Sequence, residues 1–260
     1  MKKLFIVFIF FAITFSTNAQ TISRQVFSSS GGTLTGVSNS INYNIGEPVI
    51  ASLNAGNYIT SQGFEQPGES SLTLKFFLQG YYVNAGSMQP VLINQGIAAS
   101  AAETDTILVE LHDPNTFELV DSRKSVLLTD GTVSVNFSQP EGIYYVAIKH
   151  RNSIQTWSTN PVDCTVSTQI YDFSSAANMA MGDNQALVEP GVFAFYTGDL
   201  NQDDFIDGND FPQYDSESAS GGLFDGTYTT TDMNGDGFVD GNDFPVFDVN
   251  SSIGISAIHP

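Results

Sequence analysis

The chain has 260 residues, 41% of them hydrophobic, with 8 Lys+Arg against 28 Asp+Glu and a formal net charge of −20. That apolar content supports a folded core and excludes wholesale disorder, and the charge excludes nucleic acid and anionic membrane surfaces as partners while favouring cations. The single cysteine, Cys164, excludes an intramolecular disulfide, and its neighbours Val162, Asp163 and Thr165 offer nothing to activate a thiol, so a buried structural role is expected.

Residues 1–19 read as a secretory signal peptide. Lys2 and Lys3 supply the positive start, residues 4–15 form an apolar run, and Thr17-Asn18-Ala19 fits a cleavage site that leaves Gln20 first. The run is short for a membrane span, and no cysteine follows it to carry a lipid anchor. The mature chain is therefore expected to be secreted or held at the cell surface, exported through the inner membrane. Residues 20–68 alternate short β-prone pieces with glycine, as in Ser28-Ser29-Ser30-Gly31-Gly32, and predict a β-rich module of two to four short strands. The stretches Gly46-Glu47-Pro48-Val49-Ile50 and Gln62-Gly63-Phe64-Glu65-Gln66-Pro67 resemble a recurrent N-terminal module of secreted Bacteroidota proteins.

Residues 69–197 carry the main core. A strand is expected in residues 72–82, and Ile107, Val109 and Leu111 alternate with Leu108 and Glu110. Val133, Val135 and Phe137 alternate with Ser134 and Asn136, and residues 143–149 and 192–196 form two further strands. Asp130-Gly131 predicts a hairpin turn joining Val126-Leu127-Leu128 to the next strand. Residues 174–181 are the one stretch expected to be helical. The fold class is mainly β: an antiparallel, immunoglobulin-like β-sandwich preceded by the small β module and followed by a calcium-loop pair with short helices.

That pair occupies residues 198–250, and residues 251–260 form a C-terminal tail. From residue 198 onward there are thirteen Asp/Glu and no Lys or Arg. Asp199, Asn201, Asp203, Asp207 and Asp210 fall at positions 1, 3, 5, 9 and 12 of one loop, with the Phe205 carbonyl at position 7. Asp232, Asn234, Asp236, Asp240 and Asp243 repeat the spacing 33 residues later, with the Phe238 carbonyl at position 7. Hard cations take six to eight oxygens at this kind of spacing, so each loop is expected to bind one Ca²⁺, two ions in all. Position 6 needs a left-handed backbone, which Gly237 supplies freely and Asp204 tolerates.

The tandem loops resemble a type I dockerin module, an EF-hand-like pair of calcium loop–helix units. With the sandwich before it, the chain looks similar to an uncharacterised secreted Bacteroidota family, on Leu78-Gln79-Gly80-Tyr81-Tyr82, Met88-Gln89-Pro90-Val91-Leu92, Val109-Glu110-Leu111-His112, Lys149-His150-Arg151-Asn152 and the run from Trp157 through Val162. Helices are expected to start near position 9, capped by Asp207 and Asp240, with Pro212 and Pro245 shortening or distorting them. Ile206 and Val239, at position 8, are expected to pair the loops through a short β contact. Chelation is expected to unfold residues 198–250 and leave the sandwich folded.

No HExxH, G-x-S-x-G or P-loop is present, and His112 and His150 read as strand-end packing or rim residues. No catalytic residue is assigned, and the balance is against an enzyme. The expected function is a secreted, non-catalytic calcium-binding protein whose loop pair stabilises or docks the sandwich in extracellular attachment or assembly. The partner would be a surface or extracellular protein, with cohesin-like binding as the dockerin resemblance implies, or a polysaccharide. The alternative is an accessory or hydrolytic component of an extracellular polysaccharide-degradation system.

Overall fold

The structure is a computed structural model that describes residues 31–35, 40–44, 52–55, 58–61, 70–98, 100–137, 142–165, 170–219 and 229–260. The signal peptide and the two motifs of residues 46–50 and 62–67 lie outside the described residues. The chain divides into two compact units, Met1–Gln66 and Pro67–Pro260.

In the first unit, β1 (Gly31–Thr35) pairs antiparallel with β2 (Ser40–Asn44), and β3 (Ser52–Ala55) with β4 (Tyr58–Ser61). These are the short strands expected of a glycine-broken, β-prone stretch.

The second unit begins with β5 (Ser70–Lys75), β6 (Tyr82–Asn84), β7 (Ser87–Met88) and the single turn α1 (Val91–Asn94). It continues with β8 (Glu103–His112), β9 (Leu119–Leu128), β10 (Thr132–Phe137), β11 (Ile143–His150), β12 (Ser153–Trp157), β13 (Val162–Asp163) and β14 (Ile170–Asp172). Three 3-10 turns between Phe173 and Asp183 stand where one helix was expected, since Gly182 interrupts them at φ 66°. Then come β15 (Ala186–Glu189), β16 (Val192–Ala194), β17 (Phe205–Ile206), α2 (Phe211–Ser218), α3 (Phe244–Ile253) and β18 (Ile255–Ser256).

Two sheets face each other. One has the order β10-β5-β14 and the other β12-β11-β8-β9, with β13 also on β11. The period-two pattern drives this: Val133, Val135 and Phe137 of β10 meet Ile107, Val109 and Leu111 of β8 in one buried cluster, while Ser134 and Asn136 face out. Each fully buried Leu, Ile or Phe contributes about 1.5–3 kcal/mol. Phe76 stacks on Phe195 at 4.8 Å, and Phe173 meets Phe195 edge-on.

Three expectations need correction. The β14–β5 pairing is parallel, so the smaller sheet is mixed. Asp130-Gly131 makes a turn, with Gly131 at φ 82° and the Asp130 carboxylate accepting from the Thr132 amide at 2.9 Å, but not a hairpin. It carries the chain from β9 to β10, which pairs with β5 in the opposite sheet. The strand expected over residues 72–82 ends at Lys75; the amides of Tyr81 and Tyr82 both bond to the Leu78 carbonyl, forming a tight turn around Gly80.

Candidate metal centre

The two acidic loops repeat in three dimensions as they do in sequence. At position 12, Asp210 Oδ1 accepts from the amides of Leu200 (2.7 Å) and Asn201 (3.1 Å), and its Oδ2 from that of Asp207 (2.9 Å). Asp243 makes the same three bonds, Oδ1 from Met233 (2.7 Å) and Asn234 (2.9 Å) and Oδ2 from Asp240 (2.9 Å). At position 3, the Asn201 and Asn234 carbonyls accept from the amides of Asp203 and Asp236, and each Asn amide returns a bond to the Asp carboxylate. At position 9, Asp207 and Asp240 turn their carboxylates onto the amides of Asn209 and Asn242.

Position 1 differs between the copies. Asp199 Oδ1 accepts from the Asp203 amide at 3.2 Å. Asp232 accepts from the amide of Gly235 on Oδ1 (2.8 Å) and from that of Gly237 on Oδ2 (3.0 Å). The backbone is left-handed at position 6 in both copies, φ 69° at Asp204 and 92° at Gly237, as expected. It is also left-handed at position 4, φ 59° at Gln202 and 75° at Gly235, which the spacing of ligands does not reveal.

Burial separates the ligand candidates. The carboxylates at positions 1 and 12 are inside: Asp199 is 2% exposed, and Asp210, Asp232 and Asp243 are 0%. Asp203, Asp207, Asp236 and Asp240, with Asn201 and Asn234, sit at the mouths, and the side chains of Phe205 and Phe238 are exposed. Burial, reinforced by the neighbouring Asp210, pushes Asp199 up to about 7. Burial does the same to Asp243, up to about 7, against the amide bonds that lower it. Buried ionised carboxylates require a compensating charge.

Among the described residues, no three Asp, Glu, His or Cys side chains are drawn together as a ready ligand set. The carboxylates lean instead onto loop amides. By lone-pair count, each position-12 carboxylate retains acceptor capacity on Oδ2. An all-oxygen donor set on a twice-repeated backbone fits a hard cation in composition.

Two expectations about the flanks are corrected. Each helix starts at position 13, with Asp210 and Asp243 rather than Asp207 and Asp240 as the half-helical residues before it. Pro212 and Pro245 then fall in the first turn, where a missing N–H removes no helical bond, so the helices run 8 and 10 residues. Ile206 pairs with Ile255 of β18 and not with Val239; the two position-8 side chains meet instead in a core with Ile154, Leu200, Tyr214, Met233 and Phe247.

That core joins the loops to the sandwich. Gln95 Nε2 donates to Asp232 Oδ2 at 2.7 Å, Asn94 Nδ2 to the Gly235 carbonyl at 2.7 Å, and Tyr81 and Asn152 both donate to the Asp232 carbonyl at 3.3 Å. A β-carbon on Gly80 would lie 2.0 Å from the Met233 carbonyl oxygen, so only glycine allows this approach. Loop 1 is closed from the other side, where the Ala257 amide donates to the Asp204 carbonyl at 2.8 Å. The Tyr214 hydroxyl links α2 to loop 2 through the Asp240 carbonyl. Cys164 is buried as expected, and burial raises its thiol to about 11. His150 is buried against Asp105, and His112 stacks near Trp157 with its ring on Glu110.

No family model and no curated protein matches this chain. Among solved structures, a C-terminal interface mutant of a type II Cohesin-X-Dockerin complex from Acetivibrio cellulolyticus aligns over 70% of this chain and 95% of the other at 13% identity, with a TM-score of 0.39. The N-terminal interface mutant of that complex aligns over 69% and 95% at 14% identity, with a TM-score of 0.40. The crystal structure of S.CueP aligns over 46% and 69% at 9% identity, with a TM-score of 0.24.

Proposed function

We propose that this is a secreted, non-catalytic calcium-binding protein in which two loop ions lock the C-terminal segment onto a β-sandwich for attachment or assembly outside the cell. The observation behind this reading is the repeated burial of Asp199 with Asp210 and of Asp232 with Asp243, in a segment without a single Lys or Arg. Asp199, Asn201, Asp203, Asp207 and Asp210 with the Phe205 carbonyl would hold one ion. Asp232, Asn234, Asp236, Asp240 and Asp243 with the Phe238 carbonyl would hold the other. The ions would supply the positive charge that the buried carboxylates need, so folding and metal binding are linked. The leader in the sequence sends the chain to calcium-rich surroundings, where modules of this kind work at about 10⁻⁴ to 10⁻³ M calcium.

The test is calorimetric titration of calcium into the metal-free mature protein, paired with a thermal melt in calcium and in EDTA. About two sites are expected. Because the loops share a core with Ile154 and rest on Gln95 and Tyr81, the expectation that chelation unfolds residues 198–250 alone is replaced: EDTA should lower the melting temperature of the whole 67–260 unit in one transition. Absence of calcium heat together with identical melts would remove the proposal. A separate low-temperature peak for residues 198–250 would retain calcium but remove the shared-core account.

A further inference from the structure

We propose that a pocket on the outer face of the larger sheet binds a small organic carboxylate. The pocket has a volume of about 520 Å³, within the usual range for small-ligand sites of about 300–1,000 Å³. Leu92, Ile97 and Leu108 form its apolar lining, and Lys124, Lys149 and Arg151 supply its charge. The chain has only 8 Lys+Arg, so three of them gather in one concavity of a molecule with a net charge of −20.

Strand register explains how the lysines come together. Leu108 of β8 stands opposite Lys124 of β9 on one side and Lys149 of β11 on the other. Cross-strand partners share a face, so both ammonium stems rise beside the same leucine, with their β-carbons about 10 Å apart. Arg151 sits deeper, its Nε on Asp105 at 2.9 Å and its Nη2 on the Tyr81 hydroxyl at 2.8 Å. Lys149 reaches Glu110 at 3.5 Å. Lys124 is exposed, and its ammonium has no ion-pair or hydrogen-bond partner among the described residues. An anion between the two lysines would relieve their repulsion, while a ring-sized body covers the leucines and isoleucine. No Asp or Glu lines the pocket itself; Asp105 and Glu110 pair Arg151 and Lys149 from beside it, and the remaining ammonium of Lys124 favours an anion over a cation.

The experiment titrates D-glucuronate and benzoate, with glucose and benzyl alcohol as neutral counterparts, into the full mature chain in saturating calcium, followed by amide NMR shifts and calorimetry. The two acids share the carboxylate and differ in the body, so the tighter one identifies the ligand's source. At least one acid should bind saturably, shift the amides around Leu108, and weaken about tenfold or more in Lys124→Glu but not in Lys124→Arg. Lys124 is exposed, and unchanged melts verify that the variants fold. Failure of both acids, equal binding of the neutral counterparts, or full affinity in Lys124→Glu would each overturn the proposal. Gln202 of loop 1 also lines the pocket, so calcium is held constant and saturating, and the Lys124 variants, which leave loop 1 intact, separate loss of this site from loss of the calcium reading.

Discussion

Gln95 reaches Asp232 across 137 residues of sequence and is itself 2% exposed. It holds Oδ2, the carboxylate oxygen that also accepts from Gly237, while Oδ1 accepts from Gly235, so both oxygens of Asp232 are fixed in place. Such outer partners of a ligand are worth about 10–100-fold in metal affinity. Gln95→Leu should therefore weaken one of the two calcium steps by about that factor and leave the other unchanged. The Gln95 Oε1 atom is buried without a hydrogen-bond partner, so losing it relieves a cost of about 1–3 kcal/mol. Gln95→Leu also removes the Nε2 bond to Asp232, a loss of similar size, so the metal-free melting temperature should change little; a clearly lower melt with an unaltered calcium isotherm would make Gln95 a packing residue only. At Gly80, a methyl group collides with the Met233 carbonyl, and overpacking of that kind costs about 1–3 kcal/mol. Gly80→Ala should lower stability by at least that amount in a denaturant melt with calcium present.

Among the elements, α2 and α3 decide how the prolines act. If Pro245 lay inside the helix, replacing it would stabilise the protein by about 3 kcal/mol. At its observed place in the first turn, Pro245→Ala should instead cost about 0.4–1 kcal/mol, through the greater freedom of the unfolded chain. Equilibrium unfolding of the two chains in calcium gives the sign. Asp207 and Asp240 look like caps because their carboxylates accept from the amides two residues on, as a cap's does, but residues 208–210 and 241–243 form a turn and the helices begin only at Phe211 and Phe244. Much else was legible for direct reasons. Alternation through Ile107, Val109 and Leu111 reports burial, and the need for a left-handed residue at position 6 reports backbone sterics at Asp204 and Gly237. The partner of a strand was not legible. Nothing local to Asp130-Gly131 says that β10 will cross to β5, and nothing near Ile206 announces Ile255. Gln95 carries no local signal either, because its role exists only once the sandwich places it over loop 2.

For the molecule as a whole, acidity and calcium should act against each other. Asp199 and Asp243 have an ordinary value of 3.8 and stand at about 7 in the metal-free fold, chiefly through burial. The folded state thus holds more protons than the unfolded one between these values. The contribution of these two carboxylates to the stability of the metal-free protein is fully present below about 4 and is lost as pH rises through about 7. Calcium needs the ionised carboxylates, so its stabilisation grows over the same window. The gap between melting temperatures in calcium and in EDTA should widen from pH 4 to 7 and level off above it. A constant gap would mean that these carboxylates do not answer to the metal.

The 137-residue span between Gln95 and Asp232 also has a kinetic side. Contacts so distant in sequence close late, after local strands and turns have formed. Loop 2 therefore acquires its supported geometry only when the sandwich is complete, and on the proposed calcium reading ion capture would be the closing event of folding. On dilution from denaturant into calcium, metal uptake followed by a fluorescent indicator should lag the return of β-sheet circular dichroism, and Gln95→Leu should shorten that lag by uncoupling the loop from the sheets.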